Sequence, residues 1–329
     1  MYTGTMTTPP VSLFTQGRQA RASGRQSLPL YGSLLLHAGV ALAALWLATQ
    51  DVHWPLVALL AAVAGFCSVH VGYAGHDVDH AQIRGSHQFL QALRLLIWNG
   101  LLGISAGWWR DKHIRHHHET HVPGRDPDLY AFFTCEPDEA RSATGWRRLL
   151  FRHQWWAFWL ILSTAYVYFQ IKSITHLLRR PSKRSAVEMA LLLAHHAILA
   201  YALSQMAMVS MLLFIVVGYA VTGWYMGLVF APNHLGRPLS VARQSGRLWQ
   251  AAASRNIRVG RLGRYLYGGL NWQIEHHLYP AAPRSALPGL APRARELCAQ
   301  HGLAYYETTP MQSWREVTTH LREVARQAR

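Results

Sequence analysis

The sequence predicts an all-α integral membrane protein: two transmembrane hairpins, interfacial helices and a cytosolic helical cap. Three observations lead there. Four apolar stretches approach the roughly twenty residues a bilayer crossing needs. They fall into two closely linked pairs, and basic residues gather on one side of both pairs. Half of the 329 residues are apolar, and Trp (13) and Tyr (14) are abundant, as membrane interfaces favour.

Residues 1–29 are polar, with several Arg, Gln and Ser and no apolar core, so they read as a loosely ordered cytosolic arm and not a cleavable leader. One membrane domain is expected over 30–329. Leu30–Thr49 and Trp54–Ala74 are its first two spans, joined by Gln50-Asp-Val-His53, which is long enough only for a turn. Val187–Leu203 and Met206–Phe230 form a second hairpin around Ser204-Gln205. The spans are thus placed at about 30–49, 54–74, 187–203 and 206–230. Neither link carries Lys or Arg. Arg18, Arg21 and Arg25 precede the first hairpin, and Arg179, Arg180, Lys183 and Arg184 precede the second. The positive-inside rule puts both tips outside and the rest in the cytosol. The tail, 235–329, is basic and cytosolic, and Trp314, Val317, Leu321 and Val324 mark a helical apolar stripe near its end.

Lys plus Arg (32) is double Asp plus Glu (16), a formal +16. That balance suits an anionic membrane surface or an acidic partner, and with no nucleic-acid motif present the membrane is the better choice. Cys67, Cys135 and Cys298 stand alone and read as reduced thiols.

The chemistry lies in the histidines. Three clusters stand just beyond apolar segments: His76-Asp-Val-Asp-His80, His113-Ile-Arg-His116-His117 and Gln273-Ile-Glu-His276-His277. His234 follows in Ala-Pro-Asn-His. On a helix, positions i, i+3 and i+4 share a face, so each cluster aims two or three ring nitrogens one way. Neutral imidazole suits iron, zinc or copper. Eight histidines exceed the four ligands of one zinc, but two irons at roughly four or five protein ligands each would use them well. The topology supports this, because His76 follows the second span and His234 the fourth, both on the cytosolic side. Two further apolar stretches are therefore expected not to cross: Phe89–Trp109 as a helix lying along the membrane, and Trp155–Ile174 as interfacial or re-entrant. A full crossing by either would put candidate ligands on opposite faces.

Other residues adjoin the clusters. Asp77, Asp79, Asp126, Asp128 and Glu275 are placed to accept the outward N–H of a ligand ring. Trp108 and Trp109 are candidates for lining a substrate entrance, with interfacial anchoring the competing role. His118 and His121 extend the second cluster but are not expected to ligate directly. His118-Glu-Thr-His121 is one residue short of the HExxH protease pattern. His37, His70, His195 and His196 fall within spans and read as neutral hydrogen-bonding groups and not metal ligands.

In these stretches the chain resembles the membrane fatty-acid desaturases, most closely the bacterial branch whose third histidine box begins with Gln. The likeness runs through box one, Gly107-Trp-Trp-Arg-Asp-Lys-His-Ile-Arg-His-His117, and Gly124-Arg-Asp-Pro-Asp128. It continues in Phe230-Ala-Pro-Asn-His-Leu-Gly236, Ser254-Arg-Asn-Ile-Arg258 and Gly268-Gly-Leu-Asn-Trp-Gln-Ile-Glu-His-His-Leu-Tyr-Pro280. The resemblance implies a di-iron centre held by His76, His80, His113, His116, His117, His276 and His277, with His234 as the additional histidine outside the boxes. Gln273 stands where relatives carry a further His, so it is either a weak oxygen ligand or a group beside the ligands. Implied too are O2 as co-substrate and an acyl substrate on a lipid, coenzyme A or carrier protein. Two electrons would come from a separate donor such as ferredoxin and its reductase, since the sequence carries no His-Pro-Gly-Gly element of a fused cytochrome domain. Asp79 departs from the small residue usual in box one, Ile114 from a common Asn, and His121 from a frequent Asn. A hydroxylase, epoxidase or acetylenase would use the same centre. A di-haem cytochrome or a metal transporter fits less well, because the histidines cluster beyond the span ends. The composition is compatible with a bacterial inner membrane.

Overall fold

The computed structural model describes residues 24–129, 132–239 and 246–328. Helices α1 (Gly24–Ala48) and α2 (Trp54–Asp79) form the first hairpin. Helix α3 (His87–Leu95) runs on through a π-helical stretch, Leu96–Leu101. After a break the chain bends by 106° into α4 (Ala106–His118). Helix α5 (Pro137–Ser142) leads to α6 (Gly145–Ile161), a 3-10 turn at Leu162–Thr164, and α7 (Ala165–Arg179). Helices α8 (Lys183–Ser204) and α9 (Met208–His234) follow, joined by a short link at 205–207. Beyond them lie α10 (Arg247–Ala252), α11 (Arg261–Leu266), α12 (Gln273–Leu278), α13 (Leu287–Gln300) and α14 (Pro310–Ala325). Two-residue strands β1 (Asn256–Ile257) and β2 (Glu307–Thr308) pair in parallel and tie the end of the tail to its start.

Among the described residues, four helices, α1, α2, α8 and α9, are long and apolar enough to cross a membrane. They are not equivalent. The apolar windows of α2 and α9 are 44% and 33% buried, against 17% for α1 and for α8. The inner pair, α2 and α9, is also the pair that ends in histidine. Their crossing is close because it uses small residues: a Cβ on Gly65 would lie 2.5 Å from the Gly218 carbonyl oxygen. The outer helices turn Leu35, Leu193 and Ile198 outward, which only lipid makes inexpensive.

Three expectations need correction. The spanning helices do not stop where the apolar runs stop. Helix α2 continues past Ala74 to Asp79, and α9 past Phe230 and through Pro232 to His234, because helical backbone bonding does not depend on apolar side chains. Gly24 to Pro29, expected in a loose arm, already belongs to α1; the rest of that arm, with Arg18 and Arg21, lies outside the described residues. Phe89–Trp109 is not one helix along the interface but two, separated at residues 102–105. Gly103 takes φ +60° at the break, and the Ser105 hydroxyl restarts the helix by accepting from the Trp108 N–H. Glu188, from α8, secures that start. It accepts from the Ser105 hydroxyl at 2.6 Å and from the Gly107 N–H at 2.9 Å, a carboxylate at the positive end of α4.

Trp155–Ile174 likewise breaks, at the Leu162–Thr164 turn. The turn seats on α9 where Gly223 and Gly227 leave room: a Cβ on Gly223 would fall directly on the Leu162 carbonyl oxygen. Gly223→Ala is therefore expected to cost about 1–3 kcal/mol, since a backbone carbonyl cannot swing aside. Gly39→Ala, where the added methyl meets open space, is the control and should not destabilise. Thermal unfolding of both variants in detergent checks the pair, and equal midpoints would refute the packing argument.

Candidate metal centre

Four separate parts of the chain bring the histidines together: the ends of α2 and α9, one face of α4, and the short helix α12. Their nitrogens form two groups. His76, His80, His113, His117 and His276 make one, and His116, His234 and His277 the other; within each group the ligand atoms lie within 4.8 Å of one another. The groups abut, since the His117 and His277 rings are 4.4 Å apart.

The outward nitrogens explain the orientation. His116 Nδ1 faces Asp126 Oδ1 at 3.0 Å, His234 Nδ1 the Ala253 carbonyl at 3.1 Å, and His277 Nδ1 the Gln250 Oε1 at 3.3 Å. An imidazole that donates from Nδ1 to such an acceptor keeps its lone pair on Nε2. His234 Nε2 and His277 Nε2 nevertheless face each other at 3.3 Å. Two lone pairs aimed at one point repel unless a cation lies between them, so the donor set fits a metal. Gln273 joins this group, its amide nitrogen 3.2 Å from both Nε2 atoms. Turning that amide over puts its oxygen in the same place.

Charge is arranged to match. Burial first, and then the neighbouring imidazoles, push His80, His113, His117, His276 and His277 well below the ordinary histidine range. They stay neutral and keep the lone pairs that a metal requires. His116 goes the other way: burial opposes its charge, but the Asp126 and Asp128 carboxylates outweigh burial and raise it. Burial would raise Asp126, yet His116 and the backbone donors hold it below the usual carboxylate range. Asp126 is the most heavily bonded of these acids. It also accepts from the backbone N–H of His121 at 2.7 Å and of Asp128 at 2.9 Å.

Two openings flank the groups. One is a cavity of about 190 Å³ bordered by His76, His116 and His234. Phe132, Phe133, Phe158, Leu162, Phe169, Met226 and Phe230 also line it. The other is a cleft of about 210 Å³ with Arg110, His118 and Arg247 in its wall.

The fatty acid desaturase family model matches residues 52–309, from the first link to the last strand. The chain belongs to the fatty acid desaturase family. Its relatives include the Delta(8)-fatty-acid desaturase of Euglena gracilis, 28% identical over 294 residues, 84% of this chain and 70% of the relative. The Delta(5) fatty acid desaturase of Caenorhabditis elegans is 29% identical over 267 residues, 74% of this chain and 58% of the relative. The acyl-lipid (9-3)-desaturase of Borago officinalis is 28% identical over 290 residues, 80% and 63%. The chain thus spans less than two thirds of the worm and borage proteins it matches.

Within this desaturase-family chain, the residues singled out beside the histidines separate. Asp126 and Asp128 face the His116 ring, Asp128 at 3.3 Å from Nδ1 while also paired with Lys112. Asp77 is 3.8 Å from His76 Nδ1 and is held by Arg284. Glu275 touches no ligand ring: Tyr305 and Asn256 donate to it, which docks α12 on the tail. Asp79 accepts from Arg94 and Trp98. Trp109 lines the apolar cavity, whereas Trp108 packs edge-on to Phe169 in the core, so the expected pair of entrance residues is split. His118 is exposed in the cleft. His121 is buried with Nδ1 on the Pro238 carbonyl, and burial lowers it to about 4. His195 donates to the Gly100 carbonyl at 2.8 Å, bracing the break before α4.

Sequence reasoning missed Glu188, Gln250 and Trp98. Gln250 and Trp98 carry no local signal, since each acts on a residue far along the chain. Glu188 had one: an acidic residue inside an apolar span.

Proposed function

We propose that the protein is an oxygen-dependent fatty acyl desaturase that introduces a C=C bond into an acyl chain, using electrons from a separate donor. One observation carries this reading: histidines of both converging groups border a cavity whose other walls are mostly aromatic and aliphatic. The relatives named for Delta(8), Delta(5) and (9-3) desaturation agree with it.

Two irons are the metals that fit. His76, His80, His113, His117 and His276 would hold one, and His116, His234 and His277, with Gln273, the other. When bound, the pair would supply the O2-derived oxidant that an unactivated C–H bond demands. The remaining work belongs to the chain. The aromatic and aliphatic wall from α6, α7 and α9 binds the acyl methylenes by excluding water, and it sets which carbon lies nearest the histidines. Asp126 holds His116 in its tautomer. An acidic electron donor would approach at the second cleft, where Arg110 and Arg247 supply complementary charge.

The test is mass spectrometry of acyl chains from a host expressing the protein, beside a His276→Ala/His277→Ala variant. Chains lighter by two hydrogens, formed only with the intact site, are the expected result. Chains heavier by one oxygen would favour a hydroxylase or epoxidase. No new product, with iron bound and a donor supplied, would defeat the reading for ordinary lipids.

A further inference from the structure

Trp109 borders the apolar cavity, but its stacking on His113 and on Trp98 is required neither by metal binding nor by that lining. Trp109 lies flat on His113, centroids 5.4 Å apart and planes within 12°. Trp98 lies flat on Trp109, at 4.5 Å and 27°. Among the described residues, His113 alone of the eight converging histidines has an indole, phenol or phenyl ring against it.

The far end of the stack is equally built. Gly75, adjacent to His76, makes the space, because a Cβ there would come within 2.7 Å of the Trp98 ring. One helical turn on, the buried Asp79 accepts from Trp98 Nε1 at 3.0 Å and pairs with Arg94 at 2.5 Å. Trp98 is therefore clamped on three sides: Gly75 beneath, Trp109 above, and a carboxylate on its N–H.

We propose that Trp109 and Trp98 form a one-electron relay, which supplies an electron to the oxidised metal centre when no acyl C–H bond is in position and so spares the ligand histidines. This rests on the desaturase reading, since the oxidant is that O2-oxidised centre. In the step, one electron leaves Trp98 and passes through Trp109 and His113, and the centre is reduced by one electron. No bond forms or breaks and no proton moves. The cation left on the Trp98 ring keeps its N–H on Asp79, whose negative charge stabilises it in a site where the effective dielectric is low. The one-electron donor that desaturation already requires returns the electron. Stacking supplies continuous overlap from Trp98 to a ligand ring. Trp108, next in sequence, meets Phe169 at 65° and stacks on no ligand, which makes it the internal control.

The experiment uses the full chain in detergent, loaded with iron, reduced, exposed to O2 without acyl substrate, and freeze-quenched for electron paramagnetic resonance. Matched samples carry ring-deuterated tryptophan. Wild type should give an organic radical whose lines narrow on deuteration. Trp98→Phe should lose it, Asp79→Asn should shorten its lifetime, and Trp108→Phe should retain it. Peptide mass spectrometry should show added oxygen moving from Trp98 and Trp109 in wild type to His113 and its neighbours in Trp98→Phe. Iron content checks that each variant is folded. Iron-loaded protein that consumes O2 without a radical, or whose radical survives unchanged in Trp98→Phe, overturns the relay and leaves the desaturase reading standing. Iron-loaded protein that neither consumes O2 nor alters an acyl chain overturns both.

Discussion

His234→Ala is expected to lower bound iron from about two ions per chain to about one, while His276→Ala leaves more metal in place. The asymmetry follows from the division of the ligands. His234 belongs to a group of three histidines and His276 to a group of five. Removing His234 leaves two histidines and the Gln273 amide, too few for a tight site. Removing His276 leaves four imidazoles. Both variants should lose at least about 100-fold in product formation, because even an orienting neighbour of a ligand is worth 10–100-fold. Metal analysis of the purified variants, paired with acyl-chain mass spectrometry, reads both quantities. Equal iron loss from the two variants would contradict the five-and-three division, and undiminished product from either would remove that histidine from the centre.

The second large effect is expected at Asp126. Its carboxylate receives three donors, the His116 ring and two backbone N–H groups, and is essentially inaccessible to water. In Asp126→Asn the negative charge is gone, and one side of the amide presents N–H to a donor. Leaving a buried donor unmatched costs about 1–3 kcal/mol. Losing the partner that holds His116 in its tautomer should weaken metal binding by about 10–100-fold. Glu275→Gln is the informative comparison. Glu275 is as buried as Asp126 and sits directly beside His276, yet its donors are Tyr305 and Asn256. It should lose stability but hold its iron. Iron titration and thermal unfolding on both variants separate the outcomes. Similar iron affinities would show that Asp126 has no orienting role.

Much of this was readable in the residues themselves. Imidazoles spaced i, i+3 and i+4 must share a helix face, so the ligand clusters could be named without coordinates. Span parity led to the expectation that they converge, and the apolar runs marked the four long helices. The errors were at boundaries. Hydropathy stops at Ala74 and Phe230, but backbone hydrogen bonding does not follow apolar content, and α2 runs on to Asp79 and α9 to His234, the latter in spite of Pro232. Phe89–Trp109 looked like one element because apolar content does not register a Ser105 cap or a Glu188 carboxylate arriving from another helix.

The sequence by itself determined the class of fold, the eight histidines and the chemistry they suit, because composition and helical periodicity are local properties. Only the tertiary structure decided that the eight divide five and three, that Asp126 and not Glu275 steadies a ligand, and that Trp109 stacks on His113 while Trp108 turns away. Those are contacts between residues far apart in the chain or on different faces of one helix. Which partners meet depends on how the helices pack, and no local spacing encodes that.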